Sequence, residues 1–97
     1  MVFLSIVLPC YRVEKQINRC ITSLYNQDIS EFEYELIVVN DCSPDKTMEI
    51  VDGFKIQHKN IISINHEINK GLGAARNTGL KNAQGKYVWF KTVAINS

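Results

Sequence analysis

Three apolar segments of the chain each end in polar residues that could contact a small ligand. The first ends at residues 9–12, the second at Asn40 and Asp41, and the third runs into residues 65–73. The carboxylate of Asp41 could accept hydrogen bonds from the ring N–H of a base or from ribose hydroxyls. The same position also suits an Asp that caps the loop before the next helix. The sequence alone leaves both interpretations open.

Aromatic, cationic and glycine residues surround the other two ends. Tyr11 could offer its ring to a base and its hydroxyl to a phosphate, or could pack over the end of a strand. Arg12 could pair with a phosphate or remain solvated. The segment 69–77 is a glycine-rich entry to a helical pattern, and helix N-termini favour anions. It contains Gly71, but Arg76 replaces the third glycine of a Gly-x-Gly-x-x-Gly pattern, so the spacing favours a turn that only needs glycine geometry.

The histidines and cysteines show no spacing typical of a metal site or a nucleophile. His58 and His66 stand apart and are predicted to be solvated or loop residues. Cys10, Cys20 and Cys42 form an odd set without a Cys-x-x-Cys pair, which favours free thiols. The sequence therefore predicts no catalytic residue and no metal ligand within this chain.

Strand and helix patterns alternate along the whole chain. Apolar segments typical of strands occupy residues 3–9, 34–40, 60–65 and 87–90. A helical stripe covers residues 13–26, and another covers 72–83 and ends near Gly85. Between them, a helix begins at a cap provided by either Ser43 or Asp45.

This alternation predicts an α/β fold with a Rossmann-like sheet of about four parallel strands. Parallel neighbours need long crossovers, and right-handed crossovers place helices on both faces of the sheet. The predicted strand order is 3-2-1-4. The polar residues described above would then gather at the carboxyl edge, where ligands bind in such sheets. The opposite edge, at residues 28–31 and 84–86, is predicted to lack comparable side chains.

Length and composition exclude several classes of protein. The 97 residues suffice for one domain, and 45% hydrophobic with 22% charged residues is an ordinary globular composition. A net charge of +1 lacks the basic excess of a nucleic-acid binder, and no like-charge run suggests a polybasic membrane patch. The apolar N-terminal segment is far shorter than the roughly 20 residues of a membrane-spanning helix. These features predict a cytoplasmic chain.

Four segments of the chain together resemble a known family. They are residues 5–11, 34–47, 69–79 and 85–90, and in this order and spacing they resemble the nucleotide-binding half of a family-two glycosyltransferase with the A-type fold. The resemblance covers residues 3–90. It implies transfer of a sugar from a nucleotide diphosphate donor, commonly a UDP-sugar, to an acceptor hydroxyl with inversion.

The resemblance also implies roles for five residues. Pro9 and Tyr11 would border the nucleotide pocket, and Asp41 would hold the base, commonly uracil. Gly71 and Arg76 would lie near the base and the phosphates. At three further positions this chain departs from the family: Asn40 replaces a frequent Asp, Cys42 a usual Gly and Arg12 a usual Asn.

The largest departure from the family concerns a divalent metal. The family resembled here uses Mg²⁺ or Mn²⁺, bound by a Leu-Asp-x-Asp-Asp sequence that follows an aromatic strand such as residues 87–90. Residues 91–97 stand there instead, with Thr92, Ala94 and Ile95 at the acidic positions. We therefore predict residues 1–90 to be the nucleotide-sugar-binding half of a shortened glycosyltransferase domain and residues 91–97 to be an atypical tail. The metal ligands would be missing and the chain inactive alone.

Two other interpretations stay open. One is a non-catalytic nucleotide-binding or interaction module, and the other is a fragment of a dinucleotide-binding oxidoreductase. Under the first interpretation the partner is a nucleotide-sugar, with an unidentified acceptor and no nucleic acid. The full-length enzyme could attach peripherally to the inner membrane surface. Because the fourth strand would leave one side unpaired, self-association of this chain is also expected.

Overall fold

The computed structural model describes residues 2–93, which form seven alternating strands and helices. The strands are β1 (Leu4–Cys10), β2 (Tyr34–Asn40), β3 (Ile61–Asn65) and β4 (Tyr87–Phe90). The helices are α1 (Ile17–Tyr25), α2 (Thr47–Gln57) and α3 (Leu72–Asn82). The predicted order of elements is confirmed.

The strands form one parallel sheet in the order β3-β2-β1-β4. The predicted 3-2-1-4 arrangement is therefore confirmed. β1 and β2 are central and run level with each other, from the pair Leu4 and Tyr34 to the pair Cys10 and Asn40. β2 and β3 also end together, with Asn40 opposite Asn65. The residues that follow these three strands are consequently brought to one edge of the sheet.

Helices cover both faces of the sheet, as the sequence predicts. The face toward α1 and α2 has the larger core, in which alternate residues of the central strands, such as Leu8 and Leu36, pack against Ile17 and Ile21 of α1. On the other face, α3 packs through Ala75 against Val7 and other central-strand residues. Burial of β2 on both faces explains its almost continuous apolar sequence.

Gly79 lets helix α3 pack closely against β1. A methyl group added there would stand 2.3 Å from Cγ1 of Val7, so only glycine fits this contact. The close approach fixes α3, and with it the loop that precedes α3, against the centre of the sheet.

The structure corrects the predicted start of α1 and decides between the two predicted caps of α2. The prediction that α1 starts near residue 13 is wrong, since the helix begins at Ile17 after a turn. The N–H groups of Val13 and Glu14 donate instead to Thr47 Oγ1 (3.1 Å) and Asp45 Oδ2 (3.4 Å), which holds the turn against the start of α2. At α2, Asp45 Oδ1 accepts the backbone N–H of Thr47 (3.1 Å). The Asp45 alternative thus describes the start of α2 better than Ser43.

The amino edge of the sheet, opposite the carboxyl edge, contains a buried polar network. The prediction that this edge has no polar groups comparable to those of the carboxyl edge is wrong. Glu35 is only 4% exposed, and its Oε2 accepts hydrogen bonds from Ser5 Oγ (2.6 Å) and from the backbone N–H of Gln84 (2.7 Å). The N–H of Gly85 donates to Ser5 Oγ (2.8 Å). Gly85 also lies against the β1 backbone, so it serves close packing after α3 and is not the residue at which the helix ends.

None of the helices within residues 2–93 combines the length and apolar character needed to cross a membrane. The two outermost strands of the sheet are β3 and β4. On β4, three aromatic residues are largely exposed: Tyr87, Trp89 and Phe90.

Candidate functional site

A cleft with a volume of about 370 Å³ opens at the carboxyl edge of the sheet. Its lining comes from four parts of the chain. Pro9 lies near the end of β1 and Tyr11 follows that strand. Asp41 follows β2, Gly71 and Leu72 lie at the start of α3, and Val93 follows β4. The predicted gathering of polar strand ends at one edge is confirmed.

A larger cleft, of about 560 Å³, lies at the opposite edge and is lined in part by Glu31, Phe32 and Lys59. Phe32 is 93% exposed, so this cleft is a shallow surface feature around a projecting ring. The smaller cleft combines apolar walls with a buried carboxylate, which is the usual make-up of a small-molecule site. We therefore take the smaller cleft as the candidate site.

Asp41 is the central polar group of this cleft, and its carboxylate anchors the loop before α3. Oδ1 accepts the backbone N–H of Lys70, and Oδ2 accepts that of Gly71, both at 2.8 Å. The backbone carbonyl of Asp41 accepts the side-chain amide of Asn69 (3.3 Å). The residue is only 3% exposed yet lines the cleft. Asp41 is thus both a loop anchor and a carboxylate at a ligand-sized opening.

His66 is part of this arrangement. It lies in the loop after β3, as one predicted alternative had it, but the other alternative, a solvated histidine, is wrong because the residue is buried. Nδ1 of His66 lies 2.8 Å from Asp41 Oδ1, and Nε2 lies 2.8 Å from Oγ1 of Thr78 on α3. The side chain is 6% exposed. A signal was present in the sequence: Asn40 and Asn65 end neighbouring parallel strands in register, so the next residues, 41 and 66, must lie side by side.

The donors around Asp41 control its ionisation. Burial by itself raises the pKa of this carboxyl, but the N–H groups of Lys70 and Gly71 and the ring of His66 outweigh burial and lower the pKa below its ordinary value of 3.8. Asp41 is consequently an anion at neutral pH. A buried anion that still reaches a cleft is suited to a ligand that offers an N–H or O–H group.

The same hydrogen bonds leave defined acceptor capacity on Asp41. A carboxylate oxygen accepts about two hydrogen bonds. Oδ1 accepts from Lys70 and contacts His66, whereas Oδ2 accepts only from Gly71 among the contacts of the described residues. Oδ2 therefore has room for one further donor.

Two loop residues beside the cleft adopt the left-handed backbone conformation. Cys42 has φ of 63° and Arg12 has φ of 55°, and the backbone N–H of Arg12 donates to Ser43 Oγ (3.1 Å). This region favours glycine and, among other residues, Asn. It explains physically why glycine at position 42 and asparagine at position 12 are the residues expected from the family resemblance.

The structure brings together four of the five predicted site residues. Pro9, Tyr11, Asp41 and Gly71 all line the cleft. Arg76 does not line it, although its neighbour Ala75 does, and the Arg76 side chain is exposed on α3. Gly71 has φ of 95°, so its glycine identity is required by the turn that presents its N–H to Asp41.

The described part of the chain does not fit a divalent-metal site. Within residues 2–93, no group of three or more His, Cys, Asp or Glu side chains is placed to hold an ion. Among the described residues that line the cleft, Asp41 is the only carboxylate, and Thr92 offers only a neutral hydroxyl. Of the positions predicted to lack metal ligands, Ala94 and Ile95 lie outside the described residues.

A family model now identifies the relationship. The model described as glycosyl transferase family 2 matches residues 5–91, which include every strand except the first residue of β1. The chain belongs to glycosyl transferase family 2. The predicted family membership is confirmed.

Relatives within this family are enzymes of sugar transfer. The chain is 39% identical over 88 residues to a poly(ribitol-phosphate) beta-glucosyltransferase of Bacillus spizizenii, covering 90% of this chain and 14% of that protein. The chain thus spans about a seventh of the length of that family member.

Solved structures of family members share the fold of this chain. TarS of S. aureus, residues 1–349, in complex with UDP-GlcNAc, has a TM-score of 0.89 at 37% identity. The match covers 94% of this chain and 26% of that 1–349 chain. A mannosyltransferase from Pyrobaculum calidifontis in complex with GDP-Man and Mn²⁺ has a TM-score of 0.82 at 25% identity, over 88% of this chain and 25% of that structure. Both structures contain a nucleotide-sugar, and the second also contains a divalent metal.

Proposed function

We propose that this chain is the donor-binding part of a glycosyltransferase that takes a UDP-sugar and transfers the sugar, with inversion, to an acceptor hydroxyl. The observation that carries the proposal is the anionic Asp41 at the carboxyl-edge cleft, with acceptor capacity on Oδ2. The UDP-GlcNAc complex of the related TarS supports a uridine nucleotide as the ligand.

Hydrogen-bonding chemistry favours uracil over cytosine at Asp41. Uracil carries an N–H donor at N3, flanked by two carbonyl groups. Cytosine carries an acceptor lone pair at the same position, so it would set that lone pair against the carboxylate. Because the pKa of Asp41 lies below 3.8, the carboxylate is ionised at neutral pH and makes a charge-assisted hydrogen bond with a uracil N–H.

The walls of the cleft supply contacts for the faces of the base. Tyr11 is 41% exposed and Leu72 is 53% exposed, and both line the cleft. Large side chains with this much uncovered surface gain free energy when a planar base covers them. We assign Pro9, Tyr11 and Gly71 to the nucleotide pocket beside Asp41.

The phosphates are assigned to the side of the cleft toward α3. Arg76 is exposed on this helix, one residue after a lining residue, and a guanidinium can bind phosphate oxygens in a bidentate manner. The N–H of Gly71 already donates to Asp41, so Gly71 contributes space for the ligand and not a phosphate donor. The proposal includes no step through a metal.

The activity of the whole enzyme needs residues beyond those of this cleft. The chain spans 14% of the Bacillus spizizenii relative and 26% of the TarS structure. We therefore propose that the 97-residue chain binds the donor without turning it over. The acceptor is not assigned, and a cytoplasmic location stays a prediction.

A nucleotide panel measured by calorimetry tests the proposal. We expect UDP to bind and CDP to bind at least about tenfold more weakly, because one charge-assisted hydrogen bond contributes roughly 1.5–3 kcal/mol. NAD should not compete. Tight NAD binding would support the oxidoreductase interpretation instead, and equal affinities for UDP and CDP would contradict the role of Asp41.

Turnover separates an enzyme from a binding module. Release of UDP from UDP-GlcNAc should be absent with this chain, both alone and with added Mn²⁺, while UDP binding persists. Release of UDP above a heat-treated control would show that the chain is catalytically competent and would overturn the donor-binding-only part of the proposal.

A further inference from the structure

The carboxylate of Asp41 is held by donors of two kinds. The backbone N–H groups of Lys70 and Gly71 donate to one oxygen each. These two contacts treat the oxygens alike. The ring of His66 contacts Oδ1 alone, at 2.8 Å, and this contact makes the two oxygens different.

His66 is held through both its ring and its backbone. The ring Nε2 lies 2.8 Å from Thr78 Oγ1 on α3, and the backbone N–H of His66 donates to the carbonyl of Asn40 (2.8 Å). An ionised carboxylate can only accept, so Nδ1 carries the proton that faces Asp41. In the neutral ring, Nε2 then accepts the hydroxyl proton of Thr78. This tautomer follows from the partners.

Position in the fold makes His66 a link between the cleft and α3. Asp41 and His66 follow neighbouring strands, whereas Thr78 lies one residue before the glycine that packs α3 onto β1. A polar chain thus runs from the Asp41 carboxylate through the imidazole to a helix that cannot shift easily. The side chain of His66 is 6% exposed, so water has little access to replace it.

We propose that His66 is a positioning residue for base recognition. By filling the second acceptor position of Oδ1, it leaves Oδ2 as the oxygen that meets the ligand and prevents the carboxylate from turning away. This inference rests on the proposed function, in which Asp41 meets the N3–H of uracil. His66 does not line the cleft, so it acts through Asp41.

This role predicts a change in discrimination between bases. N3-methyl-UDP lacks the N3–H donor and places a methyl group against the carboxylate. A firmly held carboxylate excludes it, whereas a carboxylate that can turn relieves the clash and also weakens the bond to UDP. A histidine that only stabilised the fold would lower the affinity for both nucleotides by the same factor.

Three variants, titrated by calorimetry with UDP and N3-methyl-UDP, test the inference. His66→Phe keeps a ring but removes both polar contacts. Thr78→Val removes only the Thr78 hydroxyl, since valine has nearly the same shape as threonine. His66→Asn is the conservative control, because its amide N–H₂ can stand where Nδ1 stands.

The expected results are graded. The unaltered chain should prefer UDP over N3-methyl-UDP by about tenfold or more, the contribution of one charge-assisted hydrogen bond. His66→Phe should reduce this preference by about fivefold and Thr78→Val by about twofold, while His66→Asn should keep most of it. If His66→Phe does not fold, the decision rests on Thr78→Val and His66→Asn.

Two failures can be distinguished. If the unaltered chain binds UDP and N3-methyl-UDP equally, the proposed function of Asp41 is wrong. If the unaltered chain discriminates, but the preference is unchanged in His66→Phe and Thr78→Val, then Asp41 recognises the base without His66. That second result would overturn the inference and leave the proposed function intact.

Discussion

One buried carboxylate lies near the start of strand β2 and another directly follows its end, and each binds backbone N–H groups next to one end of α3. Asp41 is 3% exposed and accepts backbone N–H groups of Lys70 and Gly71, just before α3. Glu35 is 4% exposed and accepts the backbone N–H of Gln84, just after α3. Each carboxylate therefore ties a loop of α3 to the central strand.

The two carboxylates differ in whether they line a cleft. Glu35 accepts the hydrogen bonds from Ser5 and Gln84 through Oε2, and Glu35 lines neither of the two clefts described above. Asp41 keeps acceptor capacity on Oδ2 and lines the carboxyl-edge cleft. A buried carboxylate alone therefore does not indicate a binding site. Asp41 is a candidate because it lies at the carboxyl edge of the sheet and lines a cleft there.

The largest expected effect is a loss of stability when Gly85, in the loop after α3, is replaced. A methyl group at Gly85 would stand 2.6 Å from the backbone nitrogen of Ser5, so Gly85→Ala should lower the free energy of unfolding by about 3 kcal/mol through overpacking. Urea denaturation measures this. Gly53→Ala is the matched control, because nothing lies within 4 Å of the added methyl group and helix propensity predicts a gain of up to about 1 kcal/mol. Comparable stability of the two variants would show that the loop after α3 does not pack as described.

The next effect separates the two carboxylates by function. Asp41→Ala and Glu35→Ala should each cost about 2 kcal/mol of stability, because each leaves buried donors without an acceptor. Only Asp41→Ala should weaken UDP binding, by about tenfold or more. Calorimetry at a temperature where both variants are folded gives the comparison. An equal loss of UDP affinity in both would mean that the two ends of α3 are coupled.

The third effect is the pH dependence of stability. The pKa of Asp41 is lowered in the folded state, so the carboxylate stabilises the fold at pH values above its unfolded pKa, near 3.8. This contribution is lost as pH falls through the lower, folded pKa. We expect the stability difference between the unaltered chain and Asp41→Asn to be largest at pH 7 and to shrink below pH 3.8. Urea midpoints at pH 7 and pH 3 measure it, and a constant difference would contradict the assignment.

The pH experiment has one competing contribution. The pKa of Asp45 is also lowered, because the hydrogen bonds from Thr47 and the N–H of Glu14 outweigh its burial. Asp45→Asn, measured beside Asp41→Asn, separates the start of α2 from the cleft.

The smallest effect concerns backbone strain next to Asp41. Cys42 has φ of 63°, which glycine adopts without strain, so Cys42→Gly should stabilise the chain by about 0.5 kcal/mol after the added entropy of the unfolded chain is subtracted. Cys42→Val should instead destabilise it by about 1 kcal/mol, because β-branched residues fit this conformation poorly. Thermal unfolding with both variants tests the opposite signs. Equal signs would remove strain as the explanation.

The sheet could be predicted from the sequence because its information is local. Each strand is a short apolar segment, and crossovers of helical length allow only parallel neighbours. The position of Asp41 at the carboxyl edge followed from that topology. Helix α1 was predicted four residues too long at its start because the N–H groups of Val13 and Glu14 bind α2, a contact between distant parts of the chain.

The details of the site depend on such distant contacts and were harder to predict. The histidine pattern showed nothing, yet the register of β2 and β3 places His66 against Asp41. Glu35 lies inside an otherwise apolar strand, and only the packing of residues 84 and 85 gives it a partner. Whether Arg76 reaches a phosphate stays a prediction, since it is exposed outside the cleft lining.

A crystal structure of the chain saturated with UDP tests the central claim most directly. We expect the uracil ring in the cleft beside Tyr11, with N3 about 2.9 Å from Asp41 Oδ2. The contacts from Lys70, Gly71 and His66 to the carboxylate should be unchanged. UDP bound elsewhere on the chain, or a uracil N3–H that meets a group other than Asp41, would contradict the account.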